Sequence, residues 1–180
     1  MILTYKKVCY ELNTVEPVEN LIKSSFPPEE QESMELLLTL GEKPMVNFWA
    51  CYDDELFCGM VYIVESKDTL FCLYLAVPEQ LRSQGYGAAI LTDVRRKFGG
   101  KDMVLHVEDP NADETKAQQR LRRLRFYQRL GFKDTGYRLN PGYTIFYLMS
   151  TAQDYRISTY MDLMREYSDG EYTPQVYFDK

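Results

Sequence analysis

One segment constrains the fold of this chain more than any other: a continuous apolar run that ends in a glycine-containing turn. Residues 69–77 (TLFCLYLAV) are almost purely apolar, which predicts a strand buried on both faces. After the turn, residues 86–98 place apolar side chains on one side of a predicted helix that Gly99 and Gly100 end. The run MVLHV at 103–107 predicts a second buried strand. Strand, helix and strand within about 35 residues predict a right-handed βαβ crossover.

The rest of the chain alternates strand and helix patterns, so an antiparallel meander is expected to lead into this βαβ unit. Pro27-Pro28-Glu29-Glu30 is a typical helix start and predicts a helix that runs to Leu40. Residues 1–150 are expected to form one domain, and residues 151–180 to add a helix and an irregular tail, packed on that domain or extending it. The other predicted elements are strands at 2–10, 45–52, 56–65, 132–137 and 143–150, and helices near 18–22, 114–130 and 157–164.

Composition excludes several classes of protein. With 27 acidic and 21 basic side chains the net charge is −6, whereas a general nucleic-acid binder needs a basic face. No apolar run approaches the roughly 20 residues of a membrane span, and the first residues show no secretory signal, which predicts a cytoplasmic protein. Four cysteines without C-x-x-C spacing and a single histidine predict no metal site. Reduced thiols are expected in preference to a Cys51–Cys58 disulfide.

The turn at residues 82–87 (RSQGYG) is suited to bind an anion. Gly85 and Gly87 allow a ligand to approach the backbone, and the amides before a helix have no partner within it. The positive end of the helix dipole adds to this, so the turn is a candidate cradle for a pyrophosphate. The pattern is neither a Walker A loop nor a full G-x-G-x-x-G, since position 90 is Ile90. The alternative interpretation is a tight turn without a ligand.

Two motifs resemble the GCN5-related N-acetyltransferase (GNAT) family. Residues 82–87 match its R/Q-x-x-G-x-G/A acyl-CoA loop, and residues 125–132 (RFYQRLGF) resemble its F-Y-x-x-L-G-F motif. The resemblance covers about residues 2–150. It implies an α/β fold with a mixed central sheet, in which a βαβ unit that binds coenzyme A is flanked by helices. The implied reaction moves an acetyl group from acetyl-CoA to a primary amine by direct attack in a ternary complex. The alternative is a non-catalytic module that binds acyl-CoA.

The resemblance also implies roles for single residues. The main chain of Leu75, Ala76 and Val77 would bind the pantetheine arm, and Tyr127 would protonate the departing thiolate. A phenol can do so, because its ordinary pKa of about 10 is close enough to the thiol value of about 8.5. The residues whose amides would hold the pyrophosphate are Arg82, Ser83, Gln84, Gly85, Tyr86, Gly87 and Ala88.

The general base is harder to predict, because the strand at 70–77 lacks the carboxylate that many members carry there. Other members place the base on the next strand, where His106 occupies the position of the glutamate. A neutral imidazole is well suited to accept a proton at pH 7. Strand alternation puts Glu108 on the same face as His106, so Glu108 is the next candidate, together with Glu65. The alternative interpretation of His106 is a structural histidine.

Variable regions are expected to select the acceptor. Phe26, Trp49 and Tyr74, with Tyr62 and the strands within 137–147, are predicted to wall the acceptor side. Residues 1–44 hold eight glutamates and four lysines, a charge that is expected either to attract a cationic amine or only to keep the surface soluble. A small-molecule acceptor is preferred to a protein. The helix at 116–129 is basic and is expected to be a solvated face, or else to meet the phosphates of coenzyme A or an anionic substrate. The extension at 151–180 could also pair two subunits as a homodimer.

Overall fold

A computed structural model describes residues 1–10, 13–113 and 115–179 of the chain. These residues fall into two compact units, which are described separately. The first unit is Met1–Glu65 with Cys72–Gly100, and the second is Ser66–Phe71 with Lys101–Lys180. The domain division expected at residue 150 stays a prediction.

The first unit is a sheet with helices packed against it. Its strands lie in the order β1-β2-β3-β4, and the β1–β2 and β2–β3 pairs are antiparallel. Helix α1 packs on β3, α2 packs on β2, and α3 packs on β1 and β3. The elements are β1 (Leu3–Lys7), α1 (Val15–Ser25), α2 (Met34–Gly41), β2 (Val46–Asp53), β3 (Leu56–Glu65), β4 (Thr69–Ala76, whose first three residues belong to the second unit) and α3 (Tyr86–Lys97).

Helix α2 begins later than the sequence predicted. Pro28–Glu30 forms only a single 3-10 turn, and the α-helix starts at Met34. Its N-cap is Ser33, whose hydroxyl oxygen accepts a hydrogen bond from the amide of Leu36 at 3.1 Å. A serine cap satisfies one of the free amides at a helix start, so the helix begins where this cap is available.

The second unit contains four antiparallel strands in the order β5-β7-β6-β8, and α4 packs on β5. The first residues of β4 run beside β5 in the same direction. The hydroxyl of Thr69 in β4 donates to the carbonyl of Asp102 in β5 at 3.1 Å. Further along both strands, the ring of Phe71 in β4 contacts the ring of His106 in β5. The elements are β5 (Asp102–Glu108), α4 (Ala117–Arg129), β6 (Lys133–Leu139), β7 (Phe146–Ser150), α5 (Ile157–Tyr167) and β8 (Val176–Phe178).

The C-terminal tail is more regular than the sequence predicted, because residues 176–178 form β8 on the edge of β6. Gly136 of β6 has φ +79°, and a Cβ there would lie 2.6 Å from the ring of Phe178. The amide of Asp179 donates to the carbonyl of Gly136 at 2.8 Å, and its carboxylate lies 3.3 Å from Nε of Arg138. Because Gly136 has no side chain, the ring of Phe178 can pack directly on the backbone of β6, and this contact helps to hold the C-terminal tail.

These elements confirm the predicted mixed α/β fold. The four cysteines are free thiols. Within the described ranges, no helix is long and apolar enough to cross a membrane. Nor do those ranges contain a group of three or more histidine, cysteine, aspartate or glutamate side chains arranged to hold a metal ion.

Candidate functional site

The turn between β4 and α3 carries backbone amides that the helix does not use. Gly85 is the N-cap of α3, and no side chain caps this helix. The first hydrogen bond at this end runs from the amide of Ala89 to the carbonyl of Gly85, at 2.9 Å. The amides of Tyr86, Gly87 and Ala88 precede that bond and have no partner within the helix. Together with the helix dipole, they suit a phosphate group.

The backbone of this turn requires a glycine at position 85. Gly85 has φ +91°, in the left-handed region that L side chains rarely adopt. A Cβ built on Gly85 meets no atom of the described residues within 4 Å, so the space in front of the turn is open. Ser83 also has a positive φ, of 64°. The turn therefore has a left-handed backbone at two positions, which is strained at Ser83 and relaxed at Gly85, and the space at Gly85 is open to a ligand.

Two exposed side chains hold the turn in place by hydrogen bonds to backbone carbonyls. Nε of Arg82 donates to the carbonyl of Val77 at 3.2 Å, and the amide nitrogen of Gln84 donates to the carbonyl of Gln80 at 2.9 Å. Arg82 and Gln84 are both exposed. Arg82 thus links the end of β4 to the turn, in addition to offering a cation beside it.

Gly59 supports the end of β4, a role that the sequence analysis missed. A Cβ on Gly59 would lie 2.7 Å from the carbonyl oxygen of Ala76 and 2.9 Å from Cδ1 of Ile90. Backbone oxygen cannot give way at that distance, so β3 needs a glycine where β4 ends. A glycine inside a strand often marks such a close approach of another backbone, and this signal was available in the sequence.

Tyr86 offers only its backbone to the turn. Its hydroxyl donates to Oδ2 of Asp53 at 3.1 Å, and the other oxygen of that carboxylate accepts from the amide of Ile2 at 3.3 Å. The hydrogen bond to Asp53 raises the pKa of Tyr86. The side chain therefore anchors the first turn of α3 to β2.

The three residues predicted to wall the acceptor side do not form one cluster. The rings of Phe26 and Tyr74 meet edge to face with centroids 4.9 Å apart. Trp49 instead contacts Tyr5 at 5.4 Å and stacks with Phe98 at 6.0 Å. Trp49 thus packs with aromatic residues of β1 and the end of α3, and Phe26 with Tyr74 is the pair that the structure brings together.

Tyr74 also holds the chain between α1 and α2. Its hydroxyl donates to the carbonyl of Glu30 at 2.6 Å and accepts from the amide of Glu32 at 3.1 Å. Tyr62, predicted beside it, is fully buried and packs on Phe48 at 4.9 Å. Tyr74 therefore fixes the position of the α1–α2 connection, whatever else it contacts.

His106 lies in an aromatic environment within the second unit. Its ring centroid is 4.9 Å from that of Phe71, 5.5 Å from that of Tyr160 and 6.0 Å from that of Phe146. Nε2 is buried and has no hydrogen-bond partner in the part of the chain that the structure describes. Burial lowers the pKa of His106 from 6.5 to about 4, so the imidazole is neutral at pH 7.

This burial makes the stability of the protein depend on pH. The unfolded chain binds a proton at His106 with a pKa near 6.5, whereas the folded chain binds it only near 4. Stability is therefore full above pH 6.5 and is lost as the pH falls toward 4, by up to roughly 3 kcal/mol. We expect His106→Phe, which suits the aromatic surroundings, to lack this loss when urea unfolding is measured from pH 7.5 to 4.

The wild-type protein is the reference for that experiment, because the carboxylates titrate in both proteins and cancel in the difference. The free energy of unfolding of His106→Phe minus that of wild type should rise as the pH falls below 6.5. Parallel curves for the two proteins would show that His106 titrates alike in the folded and unfolded chains.

Glu108, the second base candidate, is held by two arginines of α4. Its Oε1 accepts from Nε and Nη2 of Arg120 at 3.0 and 2.8 Å, and its Oε2 accepts from Nη1 of Arg123 at 3.0 Å. Glu108 and Arg120 are both 7% exposed. Arg122, Arg125 and Arg129, on the same helix, are exposed as predicted. The basic run thus divides into a solvated face and a pair that attaches α4 to β5.

Tyr127 lies in the last turn of α4 and is 8% exposed. Its ring contacts those of Phe126 and Phe132 at 5.0 and 5.7 Å. Its carbonyl accepts from the amides of Leu130 and Phe132, at 2.9 and 3.2 Å, which ends the helix and turns the chain into β6. The motif around Tyr127 therefore fixes the phenol at a defined place on a packed helix end.

Comparison with known proteins agrees with these features. Residues 44–134, half of the chain, match the family model described as an acetyltransferase (GNAT) domain. The chain is 34% identical over 119 residues to the protein named "Putative acetyltransferase YjbC" of Bacillus subtilis (strain 168). That match covers 63% of this chain but only 56% of the relative, so the chain spans little more than half of that protein's length.

Solved structures share the fold. A GNAT-family protein from Bacteroides thetaiotaomicron superposes with a TM-score of 0.72 at 24% identity, over 91% of this chain and 94% of that one. An aminoglycoside 6'-N-acetyltransferase in complex with coenzyme A superposes with a TM-score of 0.66 at 14% identity, over 87% of this chain and 99% of that one.

Proposed function

Because the chain belongs to the GNAT acetyltransferase family, we propose that it transfers an acetyl group from acetyl-CoA to a primary amine, by direct attack in a ternary complex. The observation that carries the proposal is the turn at the start of α3, with its left-handed glycine, its free helix amides and the open space before it. An acetyltransferase of the same fold binds coenzyme A, which supports this ligand.

The residues proposed to bind the cofactor lie in the turn and at the end of β4. The proposed contacts to the pyrophosphate are the backbone amides of residues 82–88, and Tyr86 contributes only its amide because its side chain is bound to Asp53. The pantetheine arm is proposed to bind the main chain of Leu75, Ala76 and Val77. When bound, acetyl-CoA supplies the activated acetyl group, and this chain orients the thioester.

We propose Tyr127 as the acid that protonates the leaving thiolate. We assign different roles to His106 and Glu108, two of the three residues that were predicted as bases. The lone pairs of Glu108 face two guanidinium groups, and His106 is enclosed by three aromatic rings with a lowered pKa. Glu108 is then a positioning residue for α4, and His106 is a packing residue. The amine is proposed to lose its proton to water before it attacks.

The direct test is release of the coenzyme A thiol from acetyl-CoA in the presence of a panel of small-molecule amines and N-terminal peptides. We expect turnover with at least one amine, and the acetylated product identified by mass spectrometry. Small-molecule amines are the proposed acceptors, so they should be used faster than the peptides. Binding of acetyl-CoA without turnover across the whole panel would instead establish a non-catalytic acyl-CoA module.

Gly85→Ala tests the cofactor turn. An alanine at φ +91° strains the backbone and places a methyl group in the space proposed for the pyrophosphate. We expect the Kd for acetyl-CoA, measured by calorimetric titration, to rise on the order of 10-fold, with about 1 kcal/mol lost from folding stability.

The matched control is Gly99→Ala at the other end of α3. Gly99 also has a positive φ, of 68°, and open space around its Cβ position. This variant should lose similar stability and keep the wild-type Kd. Equal Kd values for the two variants would mean that the turn does not bind the cofactor.

A further inference from the structure

Asp109, which directly follows the last residue of β5, was not singled out by the sequence. Its neighbour Glu108 is neutralised by two arginines, but Asp109 has no ion-pair partner within 4.0 Å in the described ranges 1–10, 13–113 and 115–179. Asp109 is only half-buried. It is therefore a negative charge left without a counterion at the carboxyl end of a strand.

The carboxylate of Asp109 is nonetheless held in place. Its Oδ1 accepts from the amide of Asn111 at 2.8 Å and from the hydroxyl of Tyr147 at 3.3 Å. Its own amide donates to the carbonyl of Ile145 at 2.8 Å, which extends the pairing of β5 with β7. Oδ2 accepts no hydrogen bond from the described residues, so one oxygen is oriented by the protein and the other is free for a ligand.

The arginine beside Tyr147 cannot supply the missing charge. The guanidinium of Arg138 lies 3.8 Å from the centroid of the Tyr147 ring, but it is paired with both oxygens of Asp134, at 2.8 and 2.9 Å, and with Asp179 at 3.3 Å. Its charge is therefore already balanced. A carboxylate fixed beside an aromatic side chain and lacking its own cation is the chemistry that recognises an ammonium group.

The position of Asp109 fits a ligand contact. In the second unit, β5 runs in the same direction as the first residues of β4. In α/β sheets, residues just past the carboxyl end of such a strand are frequent ligand contacts. Asp109 is the first residue past that end of β5.

We propose that Oδ2 of Asp109 binds a protonated amino group of the acceptor, so that the preferred substrates are diamines or polyamines. This inference rests on the proposed acetyl transfer. One amino group of such a substrate would be neutral and attack the thioester, while a second stays protonated because alkyl ammonium groups have pKa values near 10. The second group would form a charge-assisted hydrogen bond with Asp109.

Asp109→Asn separates this role from a structural one. Asparagine keeps the turn to Asn111 and can still accept from Tyr147, so only the charge is removed. The substrates are α,ω-diamines of three to six carbons and the monoamines of equal length. We expect wild type to prefer diamines, and Asp109→Asn to raise KM for diamines on the order of 10-fold or more, with monoamines unchanged.

Asp113→Asn is the matched control. Asp113 lies on the same connection, and its carboxylate accepts from the amide and the hydroxyl of Thr115, so this variant should keep the wild-type preference. A second readout needs no turnover: the rise in melting temperature that a diamine causes is measured for wild type and for both variants.

The outcomes distinguish this inference from the proposed function. Diamines that stabilise wild type but not Asp109→Asn, without any turnover, would support the Asp109 site and contradict acetyl transfer. Turnover with no preference for diamines, or an equal KM change for diamines and monoamines in Asp109→Asn, would overturn the Asp109 site and leave acetyl transfer standing. Absence of both diamine binding and diamine turnover in wild type would also overturn it.

Discussion

Tyr127→Phe is expected to lower kcat by about 10²- to 10⁴-fold, with KM for acetyl-CoA nearly unchanged. The substitution keeps the ring, so the contacts with Phe126 and Phe132 that pack the end of α4 should be retained. If that hydroxyl donates the proton to the leaving thiolate, its removal raises the energy of the transition state and leaves the affinity for acetyl-CoA unchanged. Steady-state kinetics with the best amine of the panel measure both constants.

Tyr160→Phe is the control for this variant. Tyr160 is fully buried, and its hydroxyl has no hydrogen-bond partner among the described residues, so phenylalanine should leave kcat unchanged. A kcat of Tyr127→Phe within about threefold of wild type would remove Tyr127 from the mechanism, because general acid catalysis contributes more than that.

The features that the sequence predicted well are those with a local signal. The apolar run that became β4, the glycine turn and the one-sided helix α3 each depend on neighbouring residues alone, and the structure has all three. The family assignment is confirmed by the match over residues 44–134, which contains both the turn and the whole second motif.

The start of α2 could not be predicted in the same way. Two prolines and two glutamates satisfy every local rule for a helix start, yet only a 3-10 turn forms there. The segment is instead held by Tyr74, whose hydroxyl bonds the backbone of Glu30 and Glu32 from more than 40 positions along the chain. Contacts of that sequence separation leave no trace in a local pattern.

The candidate site shows the same limit. Strand alternation placed His106 and Glu108 on one face, but it could not show that aromatic rings would enclose the first and arginines would neutralise the second. Arg120 and Arg123 lie 12 and 15 residues from Glu108, within a run of similar arginines. Only the packing of α4 on β5 decides which of them turn inward.

That packing leads to the largest expected effect on stability. Glu108→Gln removes the charge that compensates Arg120, whose guanidinium is almost fully buried beside it. Breaking a buried ion pair by neutralising one partner typically costs about 3–5 kcal/mol, because the remaining charge stays desolvated. We expect a loss of this order in the free energy of unfolding, measured by urea titration. A fall in kcat should accompany it, because Arg120 and Tyr127 are on the same helix.

An exposed pair provides the control. Asp162 pairs with Arg165 one turn along α5, and both side chains are about two-thirds exposed (68% and 67%), so Asp162→Asn should change the free energy of unfolding little.

The double variant Glu108→Leu with Arg120→Leu should recover much of the lost stability, because it removes both buried charges at once. A cost below about 1 kcal/mol for Glu108→Gln would mean that the Arg120 charge is solvated in the folded protein. The attachment of α4, and with it the position of Tyr127, would then depend on apolar packing alone.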